Sequence, residues 1–342
     1  MAQLTRRELV CSLLTGLGSV GLLGSRGRGQ TPARSPLTSA LALATALVPN
    51  LEEVVSVYSK WLGFVVHWRG KVPAAEANFW EAPAVAGRPA AVLGPKDRDL
   101  GLLRFIEVKP SGAPIKPYST VGWNVMEIRA RNVDELTVHL KGKGSPFVHI
   151  GGPADLQSTN RPSTLRATQF VGPAGEVLYF TQGLAQPRVP PWDIAGDVGP
   201  LFITVLTANP YAASRDFYTE VLGMRLGVEV TKPVKVINDF MGRPADQKLT
   251  LCALWAGSDT AIEIDDFSES ATKRPIPPGS LPPGVAICTL AAPDIEKVAA
   301  ALKAAGVAVR RLDRGSDAPP YRKGPALLCR GRSGEILEFV KT

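Results

Sequence analysis

Two short segments of this 342-residue chain occur twice at nearly the same spacing. VYSKWLGF (57–64) is matched by FYTEVLGM (217–224), 160 residues later, and GPAGEVLYF (172–180) is matched by GRSGEILEF (331–339), 159 residues later. The second pair is identical at five of nine positions. A constant spacing indicates that the second half of the chain repeats the first, and the length is sufficient for about two domains.

Each half divides again into two smaller units. Amphipathic helical patterns occur at 50–64, 132–144, 210–224 and 293–306. An apolar strand pattern precedes each helix, and each unit closes on a strand at 102–108, 176–182, 260–266 or 335–341. Asn50 and Asp294 are the expected N-caps, and Gly63 is the expected helix stop. The order predicts an α+β fold of four βαβββ modules. Because one module cannot cover both faces of its sheet, we expect the two modules of each half to pair into a half-barrel domain around a cavity.

Pro-rich connectors mark the expected boundaries of these units. The division is an export signal at 1–33, a first two-module domain at 38–183, a linker at 184–199 and a second two-module domain at 200–342. The Pro-rich segment QPRVPPWDIAGDVGP (186–200) covers most of this linker.

The first 33 residues resemble a bacterial twin-arginine export signal. Arg6 and Arg7 form a basic start, and a stretch rich in Gly and Leu follows before a polar tail. A buried helix is the alternative, but its glycines would weaken a helix in a core. We expect cleavage near Ala33 and a periplasmic protein.

Composition excludes two classes of function. The net charge is +8, and the four Arg and one Glu of residues 1–33 account for +3, which leaves +5 for the remaining chain. Basic runs with interleaved aromatic residues are absent, so nucleic acid is not an expected partner. No uninterrupted apolar run reaches the ~18 residues of a spanning helix, so we expect no stable membrane anchor. The expected partner is a small molecule, bound by a monomer or homodimer.

The repeated segments resemble the vicinal oxygen chelate superfamily, which includes glyoxalase I, bleomycin-resistance proteins and extradiol dioxygenases. GPAGEVLYF and GRSGEILEF are similar to the closing strand of that family, and VYSKWLGF and FYTEVLGM are similar to its helix endings. The resemblance covers residues 38–341. It implies a metal ligand, usually His, in the first strand of a module and a Glu in the closing strand.

Position by position, the implied ligand set is incomplete. The first-strand positions carry only aliphatic side chains, at Leu43, Val125, Ile203 and Ile287. The closing-strand positions carry Glu107, Tyr179, Glu263 and Glu338. The chain has three His, and none falls in a first strand. We therefore predict no metal cofactor, with an atypical divalent metal site as the alternative.

The remaining chemistry lies in the carboxylates. Glu263 and Glu338 close the third and fourth modules, so we expect them to approach each other as an acid/base pair. Glu107 is a third catalytic candidate. The alternative is that these carboxylates are neutralised by arginines such as Arg330 or Arg332.

The first half supplies candidates for substrate binding. Glu127, Tyr179, His67 and Trp123 are expected to line its cavity and to suit a ring-bearing molecule. The long loops at 69–99 and 229–247 are candidate lids.

These observations favour an exported, metal-independent isomerase or lyase that acts by carboxylate proton transfer on a small organic molecule. The first alternative is a non-catalytic binding protein of the bleomycin-resistance type. The second is a metal-dependent lyase or dioxygenase with an unusual site.

Overall fold

The structure is a computed structural model that describes residues 36–109, 115–156, 163–184, 192, 194–314 and 324–341. The expected export signal at 1–33 and residues 185–191 and 193 of the expected linker lie outside the described residues. In the part of the chain that is described, every helix is too short or too polar to cross a membrane.

The described chain consists of four modules that each start with a strand and a helix. The first module contains β1 (Ala40–Val48), α1 (Leu51–Leu62), β2 (Val65–Lys71), α2 (Ala74–Phe79), a 3-10 turn (Pro83–Val85), β3 (Pro89–Gly94) and β4 (Leu102–Glu107). The second contains β5 (Gly122–Ala130), α3 (Val133–Leu140), β6 (Val148–Asp155), β7 (Leu165–Val171) and β8 (Val177–Gly183).

The third and fourth modules repeat this order. The third contains β9 (Val198–Ala208), α4 (Tyr211–Asp216), a π-helical turn (Phe217–Val221), β10 (Arg225–Pro233), α5 (Lys235–Met241), β11 (Lys248–Ala256) and β12 (Asp259–Asp266). The fourth contains β13 (Val285–Ala292), α6 (Ile295–Ala304), β14 (Arg310–Arg314), β15 (Gly324–Arg330) and β16 (Ile336–Lys341). The predicted α+β class and the four βαβββ modules are confirmed.

The local signals in the sequence determine the helix ends. The Asn50 side chain accepts a hydrogen bond from the Glu53 backbone at the start of α1, and Gly63 ends this helix in a left-handed conformation at φ 69°. Asp294 caps α6 in the same way through Lys297. Side-chain acceptors satisfy backbone N–H groups that a helix start leaves unpaired, so the predicted caps are confirmed.

The modules pair differently from the expectation. One eight-stranded sheet has the order β14-β15-β16-β13-β1-β4-β3-β2, and the other has the order β10-β11-β12-β9-β5-β8-β7-β6. The first sheet therefore joins modules one and four, and the second sheet joins modules two and three. The expectation that modules adjacent in each half share a sheet is wrong. All four modules present a similar edge strand, so the ladder hydrogen bonds alone do not select the partner.

Contacts between the sheets stabilise this arrangement. One hydrophobic core takes residues from all four modules, and the Trp123 indole N–H donates to the Ile336 carbonyl across the sheets at 2.9 Å. The Tyr58 hydroxyl of the first module donates to Glu176 of the second at 2.6 Å. The Tyr218 hydroxyl of the third module donates to Glu335 of the fourth at 2.8 Å. The repeated motifs VYSKWLGF and GPAGEVLYF thus contact each other, as do their second copies.

Strand register shows which side chains share the face of each sheet turned away from this common core. Each closing strand runs parallel to the first strand of its own module. The inner pairs in this register are Thr45 with Arg104, Glu127 with Tyr179, Val205 with Glu263, and Thr289 with Glu338. We call the first sheet's set face one and the second sheet's set face two.

Candidate functional site

Face two concentrates carboxyl groups. Glu127 lies on β5, and Glu263 and Asp265 lie two residues apart on β12, so strand alternation directs both of the latter to one side. Glu127 and Asp265 are buried, whereas Glu263 is partly exposed. Thr181, on the closing strand β8, donates a short hydrogen bond to Glu127. Three carboxyl groups therefore share this face, and one of them, Glu263, is in contact with solvent.

Burial raises the pKa of these three carboxyl groups, so each keeps its proton to a higher pH than an exposed carboxyl group does. Burial, followed by the charge of Glu263, raises the pKa of Glu127 to about 8. Burial raises the pKa of Asp265 to about 7, a hydrogen bond with the Glu263 side chain acts in the opposite direction, and the charge of Glu127 adds to the increase. Burial and the adjacent Asp265 raise the pKa of Glu263 well above its ordinary value. Like charges in an apolar setting cannot all ionise, so the group holds protons that it can exchange near neutral pH.

Two phenols complete the polar part of face two. The hydroxyls of Tyr118 and Tyr179 lie 2.7 Å apart in a hydrogen bond. Tyr118 adopts φ 61°, an uncommon conformation for a residue with a side chain, and its ring stacks on Phe267 at 6.1 Å and 12°. Burial raises the pKa of both phenols, so they remain protonated.

Three basic side chains approach the same face. Arg129 follows Glu127 by two residues on β5, forms an ion pair with Asp259, and has its guanidinium 5.2 Å from the centre of the Phe202 ring. The other two come from β10 and from the segment after α5. Burial lowers the pKa of Lys232, and the charge of Glu263 acts in the opposite direction. Burial also lowers the pKa of Arg243, whose guanidinium lies 4.8 Å from the centre of the Phe267 ring. In the part of the chain that the structure describes, Arg129 is paired with Asp259, and neither Glu127 nor Asp265 forms an ion pair with an arginine.

The walls of face two are apolar. Ile237 and Phe240 of α5 pack with Phe267, Val125 and Ile203 in one cluster. The segment 229–247, which the sequence marked as a candidate lid, is the end of β10 followed by α5. It therefore forms part of the wall beside the carboxyl groups.

Face one has the same backbone positions and a different composition. Glu338 is fully buried and accepts hydrogen bonds from Thr289 at 2.8 Å, from Trp80 at 3.3 Å and from Arg314 at 2.9 Å. Arg104 adds a fourth contact at 3.4 Å. The Glu338 carboxylate is thus paired with two arginines.

Other side chains hold the two arginines of face one in position. Arg104 donates to Thr45 at 2.9 Å, and its guanidinium lies 4.4 Å from the centre of the Trp80 ring. Arg314 forms an ion pair with Glu76 at 3.3 Å. Buried charges persist where they are paired and hydrogen-bonded, so the charged groups of face one form an ionic network.

This geometry revises the sequence interpretation of the carboxylates. Glu263 and Glu338 lie in different sheets, so the expected approach of this pair is wrong, because module three pairs with module two instead of module four. Arginines do neutralise Glu338, but they are Arg104 and Arg314. Arg330 bonds to Glu81 instead.

Glu107 occupies another role. Its carboxylate accepts from the Leu51 backbone N–H at 3.0 Å, at the start of α1. Arg104 is the residue that pairs with the first strand at the inner position, three residues earlier. The sequence pattern therefore placed the inner position of the first closing strand three residues too late, at Glu107, and Glu107 serves as a helix cap.

Two expected substrate-binding residues lie away from face two. Trp123 is buried between the sheets, and its N–H is already used by Ile336. His67 lies on the edge strand β2, with Nε2 3.0 Å from the Pro95 carbonyl. Glu127 and Tyr179 are the expected binding residues that the fold brings together with Glu263.

The described residues do not fit the metal that the resemblance implies. Face one places the guanidinium of Arg104 at a ligand position, where it would repel a divalent cation. Face two offers carboxyl groups without an imidazole, and transition metals in proteins favour nitrogen or sulfur donors. In the described part of the chain, no three His, Cys, Asp or Glu side chains are arranged to hold an ion.

Comparison with known proteins agrees with this architecture. Residues 201–317 match the family model of the Glyoxalase/Bleomycin resistance protein/Dioxygenase superfamily. This segment belongs to that superfamily. The resemblance inferred from the repeated segments is confirmed, and the matched residues include Glu263 and Asp265. No curated protein matches the chain in sequence.

Solved structures of this superfamily share the fold. Glyoxalase I from Zea mays is 17% identical, with a TM-score of 0.55, and the match covers 88% of this chain and 92% of that enzyme. A mutant of the same enzyme gives a TM-score of 0.58 at 17% identity, over 88% and 92% of the two chains. A Bacillus subtilis protein provisionally named a dioxygenase is 16% identical, with a TM-score of 0.59 over 90% of this chain and 86% of that one. At these identities the likeness establishes the fold alone.

Three residues of these faces escaped the sequence analysis. Arg104 was missed because the register of the first closing strand was misplaced. Asp265 lies in the predicted closing strand 260–266, where alternation with Glu263 could have indicated it. Tyr118 lies in a Pro-rich connector, and no sequence pattern identifies its hydroxyl as a partner of Tyr179.

Proposed function

We propose that this protein is an exported glyoxalase-like enzyme that moves a proton at a carbon atom of a small organic molecule, as an isomerase or lyase without a metal. Face two is the proposed active site. The observation that supports the proposal is the group of carboxyls Glu127, Glu263 and Asp265, which has no arginine partner among the described residues and whose pKa values burial raises.

The chemistry requires a base and an acid on one face. In the ionised form, the Glu263–Asp265 pair accepts a proton from the carbon next to a substrate carbonyl, and the C–H electron pair forms the new C=C bond of an enol. The carbonyl oxygen then receives a proton or a hydrogen bond from the protonated Glu127 or from a phenol. Return of the proton to the neighbouring carbon gives an isomer, and departure of a leaving group gives a lyase product.

The test is exchange of carbon-bound hydrogen in D₂O. Small ketones, aldehydes and hydroxyketones are incubated with the protein, and deuterium incorporation is followed by proton NMR. We expect exchange with a subset of compounds, and a loss of about 10²-fold or more in Glu263→Gln and Glu127→Gln. Glu107→Gln is the matched control, since Glu107 caps a helix. Equal exchange in all of these variants would reject the proposal.

A non-catalytic binding protein of the bleomycin-resistance type is the second candidate. The apolar walls formed by Ile237, Phe240 and Phe267 favour it, because they suit ligand retention without chemistry. Binding of a compound without any exchange would support this candidate over the enzyme.

Metal independence is tested separately. Elemental analysis of the purified protein by inductively coupled plasma mass spectrometry should give far less than one divalent metal ion per chain. A stoichiometric metal that is retained through dialysis, and whose removal abolishes exchange, would reject the proposed mechanism.

Export rests on the first 33 residues. We propose that Arg6 and Arg7 direct the chain to the periplasm by the twin-arginine route. Changing both to Lys should leave the protein in the cytoplasmic fraction of a bacterial host. Changing Arg26 and Arg28 to Lys is the control and should leave export intact.

A further inference from the structure

A buried arginine outside both faces lacks a counter-charge among the described residues. Arg274 is 6% exposed, and no described carboxylate forms an ion pair with its guanidinium, in contrast to Arg104 and Arg314 of face one. Burial lowers the pKa of Arg274 to about 10, so the guanidinium still carries its charge at neutral pH. Buried charges in folded proteins are normally paired, so this cation requires an explanation.

Neutral oxygens use three of the five N–H groups of this guanidinium. Nε donates to the Thr120 hydroxyl at 2.9 Å, and Nη1 donates to the carbonyls of Val285 at 3.0 Å and Pro283 at 3.3 Å. Nη2 has no hydrogen-bond partner in the part of the chain that the structure describes. Its two hydrogens therefore remain available to an acceptor.

Arg274 lines a cavity of about 40 Å³ that is partly open to solvent. A single water molecule requires about 10–15 Å³ of such space, so the cavity has room for a small ion. The indole N–H of Trp123 and the amide of Asn124, which also line the cavity, already donate to other groups. The remaining walls include Ile115, Pro117, Val177 and Pro283.

Glu176 lines the same cavity, but other groups hold its carboxyl. It accepts from the Tyr58 hydroxyl at 2.6 Å and from the Ala174 backbone N–H at 2.9 Å. Burial raises the pKa of Glu176 to about 7, against the effect of these hydrogen bonds. It is therefore partly protonated at neutral pH and supplies less than a full counter-charge to Arg274.

The cavity lies where two connectors between the sheets meet. The connector after β4 and the connector after β12 each pass from one sheet to the other. They pair through a parallel bridge between Thr120 and Thr272, and the Val121 N–H donates to the Thr272 carbonyl at 2.9 Å. A balanced charge at Arg274 would therefore stabilise the contact between the two connectors.

We propose that a monatomic anion of the size of chloride binds in this cavity and accepts a hydrogen bond from Arg274 Nη2. A guanidinium binds a carboxylate or phosphate best through parallel N–H groups on two nitrogens, and here the N–H groups of Nε and Nη1 are already used. The geometry therefore favours an acceptor of one atom. The carboxyls and phenols of face two are not among the described residues that line this cavity, so the inference is independent of the proposed function.

The experiment follows thermal unfolding of the native mature protein while chloride replaces gluconate at constant ionic strength. A ligand that binds the folded state alone raises the unfolding midpoint, and gluconate is too large for the cavity. We expect chloride to raise the midpoint by about 2 °C or more over gluconate. Formate should have a smaller effect, because its two oxygens require donors on two nitrogens.

Variants locate the effect at Arg274. Arg274→Gln should remove the response to chloride, because the amide carries no charge. Arg131→Gln is the matched control and should retain the response, since Arg131 also donates to two backbone carbonyls, of Ile194 and Ala195, but is exposed. A second route avoids the variants if Arg274→Gln does not fold. Crystals of the native protein soaked in bromide should show an anomalous scattering peak in contact with Nη2.

Four results would overturn the inference. No response of the native protein to chloride would indicate that water or Glu176 balances Arg274. An equal response in Arg274→Gln would place the anion elsewhere, as would a bromide soak without a peak at Nη2. Formate as effective as chloride would reject an acceptor of one atom. Deuterium exchange tests the proposed function separately and is not affected by any of these outcomes.

Discussion

Faces one and two occupy the same positions in their respective sheets, but they surround a carboxyl group with different side chains. On face one, the closing strands supply Arg104 and Glu338, which form part of an ionic network with Arg314. On face two, the closing strands supply Tyr179 and Glu263, and the first strand supplies Glu127. By strand register, Lys232 in the third module occupies the position that Arg314 occupies in the fourth module.

The difference shows that a closing-strand Glu has no fixed role in this fold. The Glu338 carboxylate is paired with two guanidiniums and hydrogen-bonded to Thr289 and Trp80, so its contacts are those of a structural ion pair. A carboxyl group that is buried among other carboxyls and phenols has a raised pKa, so it can both hold and release a proton closer to neutral pH. The partners on the neighbouring module decide which of the two applies.

The largest expected effect is a loss of unfolding free energy when the Glu338 carboxylate of face one is removed. Glu338→Gln leaves Arg104 and Arg314 without their buried counter-charge, and removing one partner of a buried ion pair typically costs ~3–5 kcal/mol. Urea denaturation should show this loss of unfolding free energy. Glu263→Gln is the matched change on face two and should leave stability unchanged or raise it, because a protonated carboxyl is replaced by an amide. Similar losses in both variants would contradict the contrast between the faces.

A second change converts face two toward face one. Tyr179→Arg places a guanidinium in the neighbourhood of Glu263 and Glu127. We expect the pKa of these carboxyls to fall and proton exchange to decrease by about 10²-fold or more. Carbon-13 NMR of labelled glutamate carboxyls measures the pKa, and the D₂O assay measures exchange. Tyr179→Phe is the control, since it removes the hydroxyl without adding charge. Retained exchange in the Arg variant would show that the free carboxyls are not the acid/base group.

The pH dependence of stability should separate the faces further. The pKa of Glu127 rises from 4.5 to about 8 on folding, and that of Asp265 rises from 3.8 to about 7. The folded state therefore binds more protons than the unfolded state. This contribution is complete below the unfolded pKa values and is lost as pH rises through about 7 to 8.

Urea unfolding at pH 5 and pH 8 measures this contribution. Glu176 and Glu335, whose pKa values burial also raises to about 7, contribute in the same direction. We expect the native protein to be less stable at pH 8 than at pH 5, because the unfolded state releases these protons at a lower pH than the folded state does. Glu127→Gln should reduce this difference, and Glu107→Gln should not. A stability that rises between pH 5 and pH 8 would contradict the assignment.

The smallest expected effect concerns the contacts between modules. Tyr58→Phe removes the hydroxyl that bonds to Glu176, and Tyr218→Phe removes the equivalent bond to Glu335. Each change should cost about 1–3 kcal/mol, since a buried carboxyl loses a donor. Thermal unfolding measures the loss. Equal losses would indicate that this repeated contact stabilises both pairs of modules to the same extent. No loss in either variant would show that the contact does not stabilise the module arrangement.

The sequence by itself determined the modules. Helix caps such as Asn50 and Asp294, the helix stop at Gly63 and the apolar closing strands are local signals, and each acts through backbone groups within a few residues. The repeat of VYSKWLGF and GPAGEVLYF revealed the duplication for the same reason. The positions of Glu127, Tyr179 and Glu263 on inner strand positions also followed from local register.

Only the tertiary structure decided which module pairs with which, and therefore which side chains meet. Four similar edge strands can form equivalent ladders, so the choice depends on packing between distant segments, such as Trp123 against Ile336. That choice separated Glu263 from Glu338 and gave Glu338 its arginines. It also brought Tyr118 to Tyr179 from a connector without a recognisable pattern. Proximity between residues far apart in the chain is set by the global packing energy, which no short stretch of sequence contains.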